Sequence, residues 1–112
     1  MYTSRLNQYR AMWIFIFFDL PTETKKQRKQ AQQFRKNLLK DGFSMFQFSI
    51  YIRNCPSTEN ADTHINRLQN KLPQYGKIGF LKITDKQFEK MKIFYSTKTY
   101  EPPSISQQLE MF

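Results

Sequence analysis

Seven consecutive apolar residues at positions 12–18 (MWIFIFF) constrain the fold of this chain more than any other feature. β-Branched and aromatic side chains dominate the segment, which favours a strand over a helix. Because successive side chains of a strand point to opposite faces, both faces of this strand are apolar and both need cover. The helices of a small domain can cover one face. A second copy of the chain is the simplest cover for the other.

The same segment does not indicate a membrane-spanning or secreted protein. It is far shorter than the ~20 apolar residues that span a bilayer. It has no small-residue cleavage site and runs directly into Asp19 and a basic segment, unlike a signal peptide. Cys55 is the only cysteine, which excludes an internal disulfide and a thiolate zinc cluster. We therefore expect a reducing, cytoplasmic setting and no membrane partner.

The charge balance points to an anionic partner. The chain of 112 residues carries 18 Lys and Arg against 9 Asp and Glu, a net charge of +9. An aromatic share of 16% excludes a disordered basic tail and indicates one packed domain. Such an excess of cations repels itself, so a purely structural protein fits worst. The composition predicts a polyanionic partner, and we favour nucleic acid over an anionic membrane.

Periodicity along the rest of the chain predicts alternating strands and helices. After the first strand we expect a helix at 22–40 with Thr22 as its N-cap, followed by one or two strands within 43–53. A second helix at 58–74 and a strand at 77–83 come next. A helical turn from Thr84 to Met91 and a short strand at 92–95 complete the pattern. This is the βαββαβ order of an α+β ferredoxin-like sandwich with a short extra C-terminal strand. The domain spans 12–95, between a polar leader at 1–11 and a flexible tail at 96–112.

Alternation within 43–53 predicts one polar and one apolar strand face. We interpret the polar face as an interface or a wet cleft, and it consists of Gln47, Ser49, Tyr51 and Arg53. In the next helix, His64 lies beside the apolar stripe, where a lone histidine is most often a boundary residue. The apolar strand face consists of every second residue: Phe46, Phe48, Ile50 and Ile52.

Asp19 is the candidate catalytic and metal-binding residue, because it ends the strand whose second face needs a partner. Mg²⁺ often binds one or two carboxylates and keeps several waters. In a two-fold dimer a second Asp19 would complete such a site, and the ion would activate water against a phosphodiester. The alternative is a turn carboxylate that accepts hydrogen bonds from nearby backbone N–H groups before Pro21.

The predicted first helix is strongly cationic, with seven positive charges against Glu23 alone. Such a surface fits the phosphates of a nucleic acid, which provide affinity without sequence information. A solvated helix face is the alternative. The candidate nucleic-acid-binding residues lie near the start of the helix: Lys25, Lys26, Arg28 and Lys29.

The chain ends in Gln-Leu-Glu-Met-Phe, which is similar to the short peptide with which bacterial proteins bind the DNA polymerase sliding clamp. The alternative is a tail that adds a strand to a partner's sheet or packs on it. The candidate partner-binding residues of this tail are Gln108, Leu109, Met111 and Phe112.

Several segments in sequence order resemble the small subunit of CRISPR adaptation, the CRISPR-associated protein two family. The resemblance covers residues 12–95. It rests on Asp-Leu-Pro at 19–21, between an aromatic strand and a Lys/Arg-rich helix, on Gly-Phe at 42–43, and on Gln-Phe-Ser-Ile-Tyr at 47–51, which is similar to the family's Gln-x-Ser pattern. Arg-Asn-Cys at 53–55 and the strand at 75–83 suggest the small version found in type II systems.

The resemblance implies a ferredoxin-like homodimer whose two sheets face each other. It implies a metal-dependent endonuclease in which the aspartate after the first strand, here Asp19, binds Mg²⁺ shared between the two copies. The family also serves as the central scaffold between two dimers of the integrase subunit, CRISPR-associated protein one. There it holds protospacer DNA for insertion into the repeat array.

Two functions follow from these expectations. One is a dimeric scaffold of the spacer-integration complex that binds double-stranded protospacer DNA and carries Mg²⁺-dependent endonuclease activity. The other is a metal-dependent, toxin-like ribonuclease that cleaves RNA and takes no part in integration. Loss of spacer acquisition in Asp19→Ala, with DNA binding and integrase assembly intact, would exclude a pure scaffold.

Overall fold

A computed structural model describes residues 11–96. The elements in chain order are β1 (Met12–Asp19), α1 (Lys25–Lys40), β2 (Ser44–Gln47), β3 (Ile50–Cys55), α2 (Thr58–Gln69), β4 (Lys77–Thr84) and α3 (Asp85–Glu89). The strands form one sheet in the order β2-β3-β1-β4, and every neighbouring pair is antiparallel. This arrangement confirms the predicted α+β ferredoxin-like fold.

One face of β1 packs against α1 and α2. Ile14, Ile16 and Phe18 are buried on this face, and the ring of Phe18 meets Phe34 of α1 edge-on, with centroids 5.3 Å apart. Leu68 of α2 joins the same core. Burial of each such side chain contributes about 1.5–3 kcal/mol. This face of β1 therefore anchors both long helices to the sheet.

The opposite face of the sheet, called the open face below, is also apolar. Phe15 is only 6% exposed, because the rings of Phe46 and Phe88 lie 6.0 Å and 5.9 Å from its own, whereas Phe17 is 40% exposed. The helix α3 covers one end of this face, where Phe88 stacks on Trp13 with centroids 3.9 Å apart. The prediction that β1 is apolar on both faces is confirmed.

The first helix begins at Lys25, three residues later than predicted, because Thr24 rather than Thr22 is its N-cap. The Thr24 hydroxyl accepts a hydrogen bond from the Gln27 backbone N–H at 3.1 Å. The Gln27 side-chain oxygen accepts one from the Thr24 N–H at 3.0 Å. This reciprocal pair is a capping box, so the chain from β1 to α1 is a short loop rather than a helical turn.

The second helix ends at Gln69, earlier than the predicted position 74. Pro73 disfavours helical backbone at the residue before it. Leu72, predicted to belong to the buried stripe, is therefore outside the helix and exposed. His64 lies inside the protein instead, with an exposed fraction of 7%. The prediction of a boundary position for His64 is wrong.

The predicted polarity of the β2–β3 segment is reversed. Phe48 and Ser49 form a turn, so the two strands make a hairpin. Tyr51 pairs with Ile16 and is buried beneath the helices, while Ile50 pairs with Phe17 on the open face. The face predicted to be an interface or a wet cleft thus belongs to the core. Tyr51 lies beside Arg35, and Arg53 Nη1 donates to the Asp41 carbonyl oxygen, contacts with distant residues that a local pattern does not reveal.

The predicted extra strand at 92–95 does not form within residues 11–96. The helix α3 ends at Glu89, and the segment that follows pairs with no strand of the described chain. An isolated segment has no ladder of backbone hydrogen bonds to hold it extended. Three successive apolar side chains are left exposed, up to 85% for Phe94: Ile93, Phe94 and Tyr95.

Several predictions concern residues outside the described range. The polar leader up to residue 10 and the tail from residue 97 lie outside it, so the predicted partner-binding tail residues do as well. Within residues 11–96, no helix combines the length and the apolar character needed to cross a membrane.

Candidate functional site

Asp19 is the last residue of β1, and its exposed side chain lies on the open face. Its position is fixed by Gly76, which precedes β4 and has a φ of 111°. A Cβ at Gly76 would lie 2.8 Å from the Asp19 carbonyl oxygen and 2.6 Å from the Leu20 side chain. Only glycine permits both this backbone conformation and this close approach. The chain entering β4 therefore packs directly against the end of β1.

The β2–β3 hairpin supports the same end of β1 from the other side. The Phe18 N–H donates a hydrogen bond to the Ser49 carbonyl oxygen at 3.0 Å. Asp19 thus projects from a strand end that is held on both sides. Beside it lies a groove of about 360 Å³, whose lining includes Phe17, Asp19, Ser49, Lys77 and Gly79.

The carboxylate of Asp19 is free to bind a ligand. Within residues 11–96 it takes part in no hydrogen bond and no ion pair, although Lys77 is its cross-strand neighbour. The alternative of a carboxylate held by nearby backbone N–H groups is therefore wrong, since no such bond forms in the described chain. A free carboxylate at a rigid strand end suits cation binding.

One chain supplies little else for a metal ion. The described residues contain no group of three or more His, Cys, Asp or Glu side chains that could hold one. Mg²⁺ accepts one or two carboxylates and keeps several waters. The exposed Asp19 therefore fits Mg²⁺ as a partial site, which a second Asp19 would strengthen.

The four predicted nucleic-acid-binding residues are exposed at the start of α1, a few residues after Asp19. Arg28 is committed in part to the loop. One of its guanidinium nitrogens, Nη1, donates to the carbonyl oxygens of Thr22 and Glu23 at 3.0 Å and 3.1 Å. The three lysines are thus better placed than Arg28 to contact phosphates.

The helix geometry reveals a longer cationic surface that the sequence analysis did not single out. The buried residues of α1 occupy its opposite side. At about 100° per residue, spacings of four, seven and four residues bring four lysines into one row about 22 Å long. We call this row the lysine stripe, and it consists of Lys25, Lys29, Lys36 and Lys40.

Arg35 is one of the seven cations of the predicted first helix, but it points inward. Its guanidinium carbon lies 4.1 Å from the centre of the Phe48 ring and 5.4 Å from that of Phe18. Burial raises the pKa of the Tyr51 hydroxyl above its ordinary value of 10.0, while the charge of the neighbouring Arg35 and its hydrogen bond oppose that rise. Arg35 thus connects α1 to the hairpin turn rather than to a ligand.

A second group of polar side chains lies at the other end of the sheet. Asp41 accepts hydrogen bonds from Arg67 and, at 2.9 Å, pairs with His64 Nδ1, while its carbonyl oxygen accepts one from Arg53 at 2.7 Å. Burial raises the pKa of the nearby Cys55 thiol, against the opposing effect of Arg53. Because Asp41, His64 and Arg67 pair with one another, we assign this group a structural role.

The fold and the site together define a class of protein: a small basic domain with a ferredoxin-like sheet, a free carboxylate at the end of the central strand and a lysine-rich first helix. The chain belongs to the CRISPR associated protein Cas2 family, whose sequence model matches residues 12–91. The family expected from the sequence is thereby confirmed.

Individual relatives agree with this assignment. A protein of Flavobacterium psychrophilum is 63% identical over 109 residues, which are 97% of this chain and 95% of that protein. A protein of Parvibaculum lavamentivorans is 45% identical over 101 residues, which are 90% of this chain and 100% of that protein. Both are named CRISPR-associated endoribonuclease Cas2, in agreement with the expectation of an endonuclease. A solved structure described as cas2 covers 84% of this chain and 99% of its own with a TM-score of 0.53, and its 15% identity supports the fold alone.

Proposed function

We propose that this protein is a CRISPR-associated, metal-dependent endonuclease whose active site contains Asp19 from each of two copies. The observation that carries the proposal is the free carboxylate of Asp19, held at a rigid strand end beside an open groove. The names of the relatives support the choice of nuclease. The net charge of +9 supports a polyanionic substrate.

A symmetric homodimer with facing sheets is part of this proposal. Phe17 and Leu81 on the open face are 40% and 48% exposed, and the exposed segment that ends in Tyr95 follows the helix on the same face. Exposed apolar patches of this kind mark interaction sites. A two-fold axis through this face would join two copies and provide two Asp19 carboxylates from one sequence position.

Three groups of residues would have separate roles in cleavage: Asp19, the lysine stripe and the apolar residues around the groove. Asp19 from each copy would hold Mg²⁺, which when bound polarises a phosphodiester and lowers the pKa of a bound water. The lysine stripe would hold the backbone of the nucleic acid through its phosphates, without reading its sequence. The apolar residues around the groove would exclude bulk water from the strand ends.

A second role, as the scaffold of a spacer-integration complex, is favoured by the lysine stripe. A straight row of about 22 Å parallels several successive phosphates of a duplex. Such a surface would bind double-stranded protospacer DNA even without cleavage. In this role the dimer would lie between copies of the integrase subunit, CRISPR-associated protein one. The two roles are compatible, because both would hold nucleic acid through the lysine stripe and only cleavage would need Asp19.

The proposed nuclease is tested by comparing the parent with Asp19→Asn, each incubated with Mg²⁺ and with EDTA. The substrates are single-stranded RNA and duplex DNA across a pH series. We expect cleavage by the parent in Mg²⁺ and at least about 100-fold less by Asp19→Asn, since the ion loses its ligand. Equal cleavage by both proteins would contradict the proposal, and so would no cleavage by either. If neither protein cleaves, the scaffold role is the function that remains.

A further inference from the structure

We propose that Lys77 is a second catalytic residue of this site, with its ammonium group on the phosphate that is cleaved beside Asp19. The inference rests on the proposed nuclease function and adds to it the group that neutralises the substrate. It is carried by the strand register, by the free state of Lys77 and by the glycine two residues further along β4.

The strand register places Lys77 directly beside Asp19. The two residues are the last pair of the antiparallel β1–β4 ladder. Residues paired in this way have Cβ atoms about 4.5–5.5 Å apart on the same face of the sheet. Both side chains are exposed, and both line the groove.

Lys77 has no other task in the described part of the chain. It forms no ion pair and no side-chain hydrogen bond there, whereas Lys82 on the same strand pairs with Asp62. The first and last residues of β4 lie at opposite ends of the sheet, so Lys77 is also separate from the polar group around Asp41. Its ammonium is therefore available to a ligand in the groove.

Gly79 indicates that a ligand or another chain approaches this part of the sheet. It lies inside β4, opposite Phe17, and it is not among the glycines with positive φ. A Cβ at this position would meet nothing within 4 Å. Neither the backbone conformation nor packing within the described chain accounts for a glycine here. Glycine within a strand weakens it and often marks the close approach of a ligand or another backbone.

The chemistry of the site favours a further cation at this place, because two Asp19 carboxylates offset the charge of the Mg²⁺ that they would hold. A phosphodiester approaching Asp19 meets a negative charge. During hydrolysis, the water oxygen forms a bond to phosphorus as the bond to the leaving ribose oxygen breaks, one water proton departs to solvent, and the leaving oxygen takes up a proton. Negative charge builds up on the two non-bridging oxygens in between. An ammonium fixed beside Asp19 stabilises that charge without giving up its own protons.

The test compares Lys77→Met with Lys77→Arg and with the control Lys86→Met. Lys86 is an exposed lysine of α3 at the other end of β4, so its removal deletes the same charge far from the groove. Kinetics are measured on the substrate that the parent cleaves. We expect kcat to fall about 10-fold or more in Lys77→Met, to recover in part in Lys77→Arg, and to stay unchanged in Lys86→Met.

A second measurement does not depend on catalysis. A single-stranded RNA oligonucleotide is titrated in EDTA against Asp19→Asn carrying each substitution. Lys77→Met should weaken binding about 3- to 10-fold and reduce the slope of log Kd against log salt by about 0.7, which is one phosphate contact. Lys86→Met should change neither. A merely structural lysine would leave the salt slope unaltered.

Gly79→Ala examines the groove itself. Because a Cβ there meets nothing in the described chain, the melting temperature of the variant should not fall. Its KM should rise about threefold or more, because the added methyl group narrows the groove. Loss of the dimer in Gly79→Ala would overturn the assignment of this opening to substrate.

The two proposals fail separately. If the parent cleaves, Asp19→Asn does not, and Lys77→Met behaves as Lys86→Met does in both assays, then Lys77 is no catalytic residue and the nuclease stands. If the parent does not cleave, the nuclease falls. The EDTA titration then still decides Lys77, because unchanged affinity and salt slope would overturn its phosphate contact.

Discussion

Asp41 shows how single residues stabilise the end of the sheet that lies far from the groove. Its side chain is 10% exposed and pairs with His64 and Arg67 of α2, while its carbonyl oxygen accepts a hydrogen bond from Arg53 of β3. One residue thus connects the end of α1 to two other elements. Removing its carboxylate leaves the buried His64 without a partner, which costs more than the pair itself contributes.

We expect Asp41→Ala to lower the free energy of unfolding by about 2–3 kcal/mol, because His64 is buried and loses its partner. Urea unfolding monitored by circular dichroism measures the change. The matched control is Asp62→Ala, which removes a half-exposed pair with Lys82 worth about 1 kcal/mol or less. If Asp41→Ala lowers the free energy of unfolding no more than the control does, the contacts of Asp41 contribute no more to stability than an exposed ion pair.

At the scale of elements, the sequence predicts well what depends on neighbouring residues. The apolar segment of β1, the helical turn after Thr84 and the order of strands and helices along the chain all follow from local pattern. The faces of the hairpin do not. Tyr51 is buried because Arg35, sixteen positions earlier, lies beside its hydroxyl, and the alternation of polar residues cannot reveal that partner. The missing strand at 92–95 has the same cause, since a strand depends on a partner elsewhere.

The candidate site divides in the same way. Asp19 could be predicted because it ends a distinctive strand, and so could the cations that begin α1. Lys77 could not, because only the register of β1 against β4 brings it to Asp19. The lysine stripe was present in the sequence as spacings of four, seven and four residues. A count of charges does not reveal it, because only their angular positions around the helix bring the four lysines into one row.

The lysine stripe provides a prediction for α1 as a whole. The double variant Lys36→Glu/Lys40→Glu should weaken duplex DNA binding more than 10-fold, because each lysine lost removes a phosphate contact. The slope of log Kd against log salt should fall by about 0.9 per contact. Fluorescence anisotropy at several salt concentrations measures both quantities.

The control for this prediction is Lys86→Glu/Lys90→Glu, which reverses two exposed charges on and beside α3. It alters the net charge of the protein equally. If both double variants weaken binding to the same extent, the effect belongs to net charge and the stripe is not a binding surface. A larger loss in the α1 variant assigns the contacts to the stripe.

At the scale of the whole molecule, the open face is the apolar part of the sheet that the described chain covers only in part. The helices α1 and α2 bury one side of the sheet, and the five-residue α3 protects only the end near Trp13. The remainder adjoins Asp19, whose carboxylate alone is a weak ligand for a cation. Covering the face and completing the site are therefore the same event if two copies meet there.

This reasoning makes the dimer testable at Leu81, which is 48% exposed on the open face opposite Phe15. Leu81→Glu should fold, because a charge at an exposed position is hydrated in the single chain. It should be a monomer, since a dimer would bury that charge without a partner. Light scattering coupled to size-exclusion chromatography measures the mass, and circular dichroism verifies the fold.

The control is Leu39→Glu, which changes a leucine of α1 that is 54% exposed and lies away from the sheet. We expect this variant to remain dimeric. Cleavage should disappear in the Leu81→Glu monomer, because each copy retains one Asp19 of the two that the site requires. A Leu81→Glu protein that stays dimeric would move the interface elsewhere. A monomer that still cleaves would show that one carboxylate is enough, and the shared metal site would be wrong.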